Sequence, residues 1–252
     1  MQWDPQQYER YADERSRPFF DLVRRVGARS PRTVLDVGCG SGALTATLHE
    51  RWPDATIRGV DSSPEMVQAA PADLGVEVSV GRAQDVTTDG VDVLVSNACL
   101  QWVPEHPALL PRWADGLPAG GWLAFQVPAN FDAPSHRLMR EVANSPRWRS
   151  RLAGVLRADP VLEPAAYLDL LSGCGLACDA WQTDYLHVLP GADPVVEWVR
   201  GTGLRPVLAA LDDADAGEFE QEYAALLRAA YPRRAYGTVF PFRRTFVVAH
   251  KS

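Results

Sequence analysis

Lysine is almost missing from this chain. Of 25 cationic residues only Lys251 is a lysine; the others are arginine. No Gly-Lys-Ser/Thr run exists, which excludes the phosphate-binding loop of nucleoside triphosphatases. Cysteine is scarce too. Cys39, Cys99, Cys174 and Cys178 are too few for a disulfide-stapled fold, and no His or Cys follows Cys178 at metal-site spacing, so reduced thiols and no metal are expected. Long apolar runs are absent. The longest uncharged stretch, Gly116 to Phe131, has 16 residues and is broken by Pro118, Gly120, Gly121 and Pro128. It falls short of the roughly 20 apolar residues a bilayer span needs. The start, Met1-Gln2-Trp3-Asp4-Pro5, carries no basic and apolar leader, so a cytoplasmic location is expected. With 32 acids against 25 cations the net charge is −7. That balance speaks against nucleic acid or an anionic membrane as partner.

What the chain does have is ordinary globular composition, 46% hydrophobic and 23% charged residues over 252 positions. Arginine suits forked binding of carboxylate or phosphate, and a GC-rich coding bias gives the same composition. Phe19, Leu22, Val23 and Val26 have helical spacing, starting at Pro18 and ending at Gly27. Short β-rich runs follow at Thr33–Val37, Thr56–Val60, Val76–Val80, Val91–Val95 and Trp122–Val127. Helical patterns separate several of them, including one helix over Ser41–Glu50 and one around Leu109–Leu117. Such alternation predicts βαβ units and a doubly wound, mostly parallel α/β sheet. Two late runs, Cys178–Leu189 and Thr238–His250, would bring the sheet to seven strands. The expected organisation is one domain over 1–252. A lid and helix occupy 1–30 and a cofactor-binding core 31–130. Helical cap inserts fall at 131–175 and 190–237, and the final strands at 176–189 and 238–250.

The most informative segment is Val34-Leu35-Asp36-Val37-Gly38-Cys39-Gly40-Ser41-Gly42. A strand breaks into glycines before a helix, at the sheet edge where such folds bind nucleotides. The spacing is G-x-G-x-G, not the dinucleotide G-x-G-x-x-G. Asp36 adds an acid to the strand. Asp61, with Ser62 beside it, ends the second strand and is placed to accept from two ribose hydroxyls. Gln84 and Asp85 follow the third strand, where an adenine amino group would be received. This set resembles the class I S-adenosylmethionine-dependent methyltransferases. The resemblance implies S-adenosyl-L-methionine as cofactor and S-adenosyl-L-homocysteine as product. It implies a cofactor site made of Asp36, Gly38, Gly40, Gly42, Asp61, Ser62, Gln84, Asp85 and Asn97.

After the fourth strand comes Ser96-Asn97-Ala98-Cys99-Leu100-Gln101-Trp102, without the Asn/Asp-Pro-Pro-Tyr clamp of nucleobase methyltransferases. Four further stretches carry a finer resemblance: Glu14-Arg15-Ser16-Arg17-Pro18, Leu100-Gln101-Trp102-Val103-Pro104, Met139-Arg140-Glu141-Val142-Ala143 and Gly201-Thr202-Gly203-Leu204-Arg205-Pro206. With Trp181–Pro190 and Phe242–Ala249 they are similar to the trans-aconitate 2-methyltransferase family. One departure is Arg243, where the family commonly has proline in Phe-Pro-Arg. The family implies methyl transfer to a carboxylate of a small polycarboxylate. Such an acid is ionised near neutrality and needs no general base. Arg17, Arg205 and Arg244 are the expected substrate arginines, with Tyr8 and Tyr11 in the lid. Trp102 and His187 are positioning candidates. A carrier-bound malonyl or fatty acid remains an alternative substrate, and a non-catalytic S-adenosylmethionine-binding role an alternative function. Oligomeric state is not legible.

Overall fold

A computed structural model describes residues 12–71, 73–156 and 161–252, with the side chains of 12–15 left aside. One seven-stranded sheet runs in the order β3-β2-β1-β4-β5-β7-β6. Its strands are β1 Thr33–Val37, β2 Thr56–Asp61, β3 Glu77–Val80, β4 Val93–Asn97, β5 Trp122–Pro128, β6 Leu176–Leu189 and β7 Thr238–Lys251. Strands β1 to β5 pair in parallel, and β7 lies antiparallel to β5. The order reverses at β1, with β2 on one side and β4 on the other. That reversal opens a crevice at the carboxyl ends of the central strands.

The chain divides into two compact units, residues 1–128, 162–183 and 244–252 in the first, and 129–161 and 184–243 in the second. In the first unit β1 and β4 read as near-continuous apolar runs because both faces are covered. Val34, Val93, Leu94 and Val95 are completely buried. Helix α1 (Ala12–Val23) supplies Phe19 and Leu22 to this core. It begins before Pro18, which the helix carries internally, so the boundary expected at Pro18 is too late. The single helix expected over Ser41–Glu50 is two short ones, α2 (Ala43–Ala46) and α3 (Leu48–Arg51). Thr47 lies at the break and its hydroxyl donates to Leu44 O at 2.6 Å, a local bond that competes with helix propagation. Helix α4 (Pro64–Gln68) starts as its sequence demands, with Ser63 accepting from Met66 N at 3.3 Å and Pro64 at the first position.

Helices α5 (His106–Gly116) and α6 (Pro164–Gly173) meet through His106 Nε2 and the Tyr167 hydroxyl, 2.7 Å apart. Tyr167 also stands edge-on to Phe125 of β5, with centroids 5.1 Å apart. The sole lysine has a structural position. Lys251 Nζ donates to the carbonyls of Ala114, Asp115 and Leu117 at 3.1, 2.7 and 2.8 Å, closing the C-terminal end of α5. Cation and orphan carbonyls are complementary there.

The second unit is held by aromatic packing. His187, Trp198, Phe240 and Phe242 are buried together, with Trp198 and His187 stacked at 4.7 Å. Helices Pro134–Ala143 and Asp213–Ala230 are joined by the Tyr223 hydroxyl, which donates to Ser135 O at 2.6 Å.

Lys251→Met should lower the unfolding free energy by about 1–3 kcal/mol, the scale of a charge-assisted bond at a helix end. Urea titration checks it; an unchanged midpoint would show that the three carbonyls are satisfied without the ammonium.

Candidate functional site

The glycine turn after β1 rests on the end of β2. The amides of Gly38 and Cys39 both donate to Val60 O, at 2.8 and 3.1 Å. Gly40 N donates to Asp61 Oδ2 at 2.8 Å, and Ser63 N to Asp61 Oδ1 at 2.9 Å. One carboxylate therefore holds the turn on one side and the start of α4 on the other. Gly38, Gly40 and Gly42 have φ of 81°, 60° and 79°. A side chain on Gly38 would also collide with Cys99, so glycine is required there twice over, by dihedral and by space.

Asp36 lies beneath this turn, 2% exposed. Its Oδ2 accepts from the Thr45 hydroxyl at 2.6 Å, while Oδ1 has no hydrogen-bond partner among the described residues. Burial raises its pKa to about 7; Thr45 opposes the shift and the Asp61 charge adds to it. The same surroundings push the Cys99 thiol up to about 12, chiefly by burial and then by Asp61, so it stays a protonated thiol near neutrality. All four cysteines are free.

The other side of the turn is β4. Ser96 Oγ donates to Val37 O at 2.8 Å, tying the ends of β1 and β4. Asn97 Oδ1 accepts from Gln126 Nε2 at 2.6 Å, and Gln126 Oε1 accepts from Arg244 Nη1 at 3.2 Å. Register sets this up: Asn97 pairs with Gln126, and Pro128 two residues on pairs with Arg244. Arg244 is 4% exposed and Gln126 is completely buried.

The remaining expected site residues are placed as follows. Ser62 is exposed. Gln84 donates to Glu105 at 2.8 Å, and Asp85 takes the fork of Arg82 at 2.7 and 2.9 Å, which holds its carboxyl below the ordinary range. Arg17 is exposed and 3.7 Å from Asp21. Trp102 is 39% exposed in the turn Leu100–Trp102. His187 lies within the aromatic cluster of the second unit, and Arg205 opens the helix Arg205–Ala209 in that unit. Tyr8 and Tyr11 lie outside the described residues. The structure thus brings together Asp36, Gly38, Gly40, Asp61 and Asn97 in the first unit. Thr45 and Gln126 escaped the sequence reading. Gln126 had a signal, being the one polar side chain in the apolar run Trp122–Val127.

Among the described residues no helix is long and apolar enough to cross a membrane, and no group of three His, Cys, Asp or Glu is arranged for a metal ion.

Residues 8–154 match the family model described as a methyltransferase domain. The fold agrees. A Bacillus subtilis protein, YcgJ, superposes with a TM-score of 0.58 at 15% identity, covering 94% of this chain and 98% of that one. Geranyl diphosphate C-methyltransferase from Streptomyces coelicolor superposes with a TM-score of 0.53 at 16% identity, covering 97% of this chain and 80% of that one. The sequence goes further: trans-aconitate 2-methyltransferase of Streptomyces avermitilis is 55% identical, over 99% of this chain and 97% of its own. The chain belongs to the trans-aconitate 2-methyltransferase family, a family of S-adenosylmethionine-dependent methyltransferases.

Asp36 has a raised folded-state pKa, so the stability tied to its protonated form is complete at about pH 4 and is lost as pH rises through about 7. Asp36→Asn should remove this loss. Its advantage over the wild type in urea unfolding should grow from pH 4 to 8, by no more than about 4 kcal/mol. A difference independent of pH would show that Asp36 ionises normally.

Proposed function

We propose that this protein methylates a carboxylate of trans-aconitate, or of a closely similar small polycarboxylate, using S-adenosylmethionine. The observation that carries the reading is the sheet edge of the first unit. A glycine-rich turn there is held by Asp61, beside a buried Asp36 with one oxygen unpartnered among the described residues. These residues suit the cofactor. The glycines let a ligand reach main-chain amides, and the two acids suit a ligand bearing hydroxyl donors and positive charge. When bound, S-adenosylmethionine supplies a methyl group on a positively charged sulfur.

The chain's own residues then have separate tasks. Gly38, Gly40 and Gly42 shape the floor. Asp61 meets the ribose with the capacity its two backbone donors leave, and Ser62, Gln84 and Asp85 line the adenine side. Asn97 takes the amino-acid end. Arg244, Arg205 and Arg17 are assigned to the substrate carboxylates that do not react, Tyr8 and Tyr11 to substrate contact, and Trp102 to positioning. No general base is needed, because the attacking carboxylate is already ionised at a reference pKa of roughly 4. The protein's contribution is alignment and exclusion of water. His187, buried among aromatics, is assigned a packing role rather than a chemical one.

The deciding experiment incubates the pure protein with S-adenosylmethionine and a panel of di- and tricarboxylates and reads product mass. The expected product gains one methylene unit on trans-aconitate and is reversed by mild base, as an ester is. Turnover only with carrier-bound acids would overturn the substrate assignment. Arg205→Ala is expected to raise KM for trans-aconitate about tenfold or more, the loss of one charge-assisted contact, with S-adenosylhomocysteine affinity unchanged. Loss of both together would make Arg205 structural.

A further inference from the structure

The amide chain across β7, β5 and β4 has a direction. A guanidinium has only donors, so the Gln126 atom facing Arg244 must be the oxygen. The amide nitrogen of Gln126 is then the atom turned to Asn97, 2.6 Å from Asn97 Oδ1. Asn97 facing Gln126 with its own nitrogen would set donor against donor. The Asn97 oxygen is therefore occupied, and its NH2 group remains for whatever reaches the end of β4. Oriented bonds in series from a cation polarise one another, which strengthens that donor.

A second observation marks Gln126. Its backbone carbonyl accepts from Ala98 N at 3.0 Å. Ala98 has φ 52°, the only non-glycine residue at positive φ among those described. Gln101 Nε2 holds the Ala98 carbonyl at 2.5 Å. Backbone strain of this kind persists only where neighbours enforce it. Gln126 thus grips two successive residues, Asn97 by side chain and Ala98 by main chain, beside the glycine turn that Ser96 joins to β4.

We infer that Gln126 is a positioning residue that fixes Asn97 as a hydrogen-bond donor, so that the end of β4 recognises a carboxylate of the bound ligand rather than an ammonium group. The inference rests on the methyltransferase reading above. Two ligands can supply the carboxylate: the amino-acid end of the cofactor, or the acid substrate.

Calorimetric titration with S-adenosylhomocysteine and with 5′-methylthioadenosine, a related nucleoside without the amino-acid end, separates the sources. Gln126→Glu keeps the shape and the acceptor for Arg244 but removes the donor to Asn97. Asn97→Asp keeps the acceptor for Gln126 and removes the donor to ligand; being half-buried, it is the safer variant for folding. Both are expected to weaken S-adenosylhomocysteine about 10- to 100-fold, while 5′-methylthioadenosine stays within about twofold of wild type. If S-adenosylhomocysteine is unaffected but KM for trans-aconitate rises about tenfold or more in both, the carboxylate is the substrate's and the donor assignment stands. Equal weakening of both nucleosides, or wild-type behaviour of both variants towards nucleoside and acid, overturns it. Failure of the wild type to bind either nucleoside would instead overturn the cofactor reading, and the inference with it.

Discussion

The carboxylate of Asp61 is the joint on which the site depends. It is the last residue of β2, yet its two oxygens receive Gly40 N of the β1 turn and Ser63 N of the next helix start. With Val60 O taking the amides of Gly38 and Cys39, four main-chain donors converge on two residues at the end of one strand. The three glycines of the turn offer no side chains to hold it and lose more conformational entropy on ordering than other residues do. The anchoring must come from outside the turn, and it comes from the neighbouring strand at the point where the sheet order reverses.

That arrangement explains the tension around Asp36. A second acid close to Asp61, buried and half satisfied by Thr45, is costly as an anion, and its pKa rises accordingly. A stable core would place an apolar residue here. The structure keeps the acid on a strand whose other residues, Val34, Leu35 and Val37, are apolar and buried. Local disagreement of this kind, one polar group against an otherwise consistent element, is characteristic of sites rather than scaffolds.

Sequence patterns made the first unit legible because its signals are local. The run Thr33–Val37 is the observed β1 residue for residue, and Trp122–Val127 and Thr238–His250 extend by one residue each into β5 and β7. The break at Thr47 was not legible, since it turns on one hydroxyl choosing a nearby carbonyl. Helix α1 passing through Pro18 overrode a boundary signal that is only a tendency. The acidic half of the site could be read from spacing, because Asp36 stands just before the glycine turn and Asp61 ends the next strand 23 residues after Gly38. The line-up of the amide half could not, although the family resemblance points to Asn97 and Arg244 singly. Asn97, Gln126 and Arg244 are separated by 29 and 118 positions, and only the register of parallel β4–β5 and antiparallel β5–β7 brings them into line.

The two halves give the carboxyl edge of the sheet a graded polarity. Acids stand at β1 and β2, neutral amides at β4 and β5, and a buried guanidinium at β7. Under the proposed function such a gradient suits a carboxylate attacking a sulfonium, because the two reactants carry opposite charge and lie side by side. The acids favour the cationic partner and disfavour the anionic one; the guanidinium does the reverse. The amides between them belong to neither sign, and their orientation is set by the arginine, which can only donate. Under the proposed function, strand order sorts the reactants by charge. An overall charge of −7 does not by itself prevent the protein from holding an acid, since the buried guanidinium of Arg244 sets the local field at that end of the sheet.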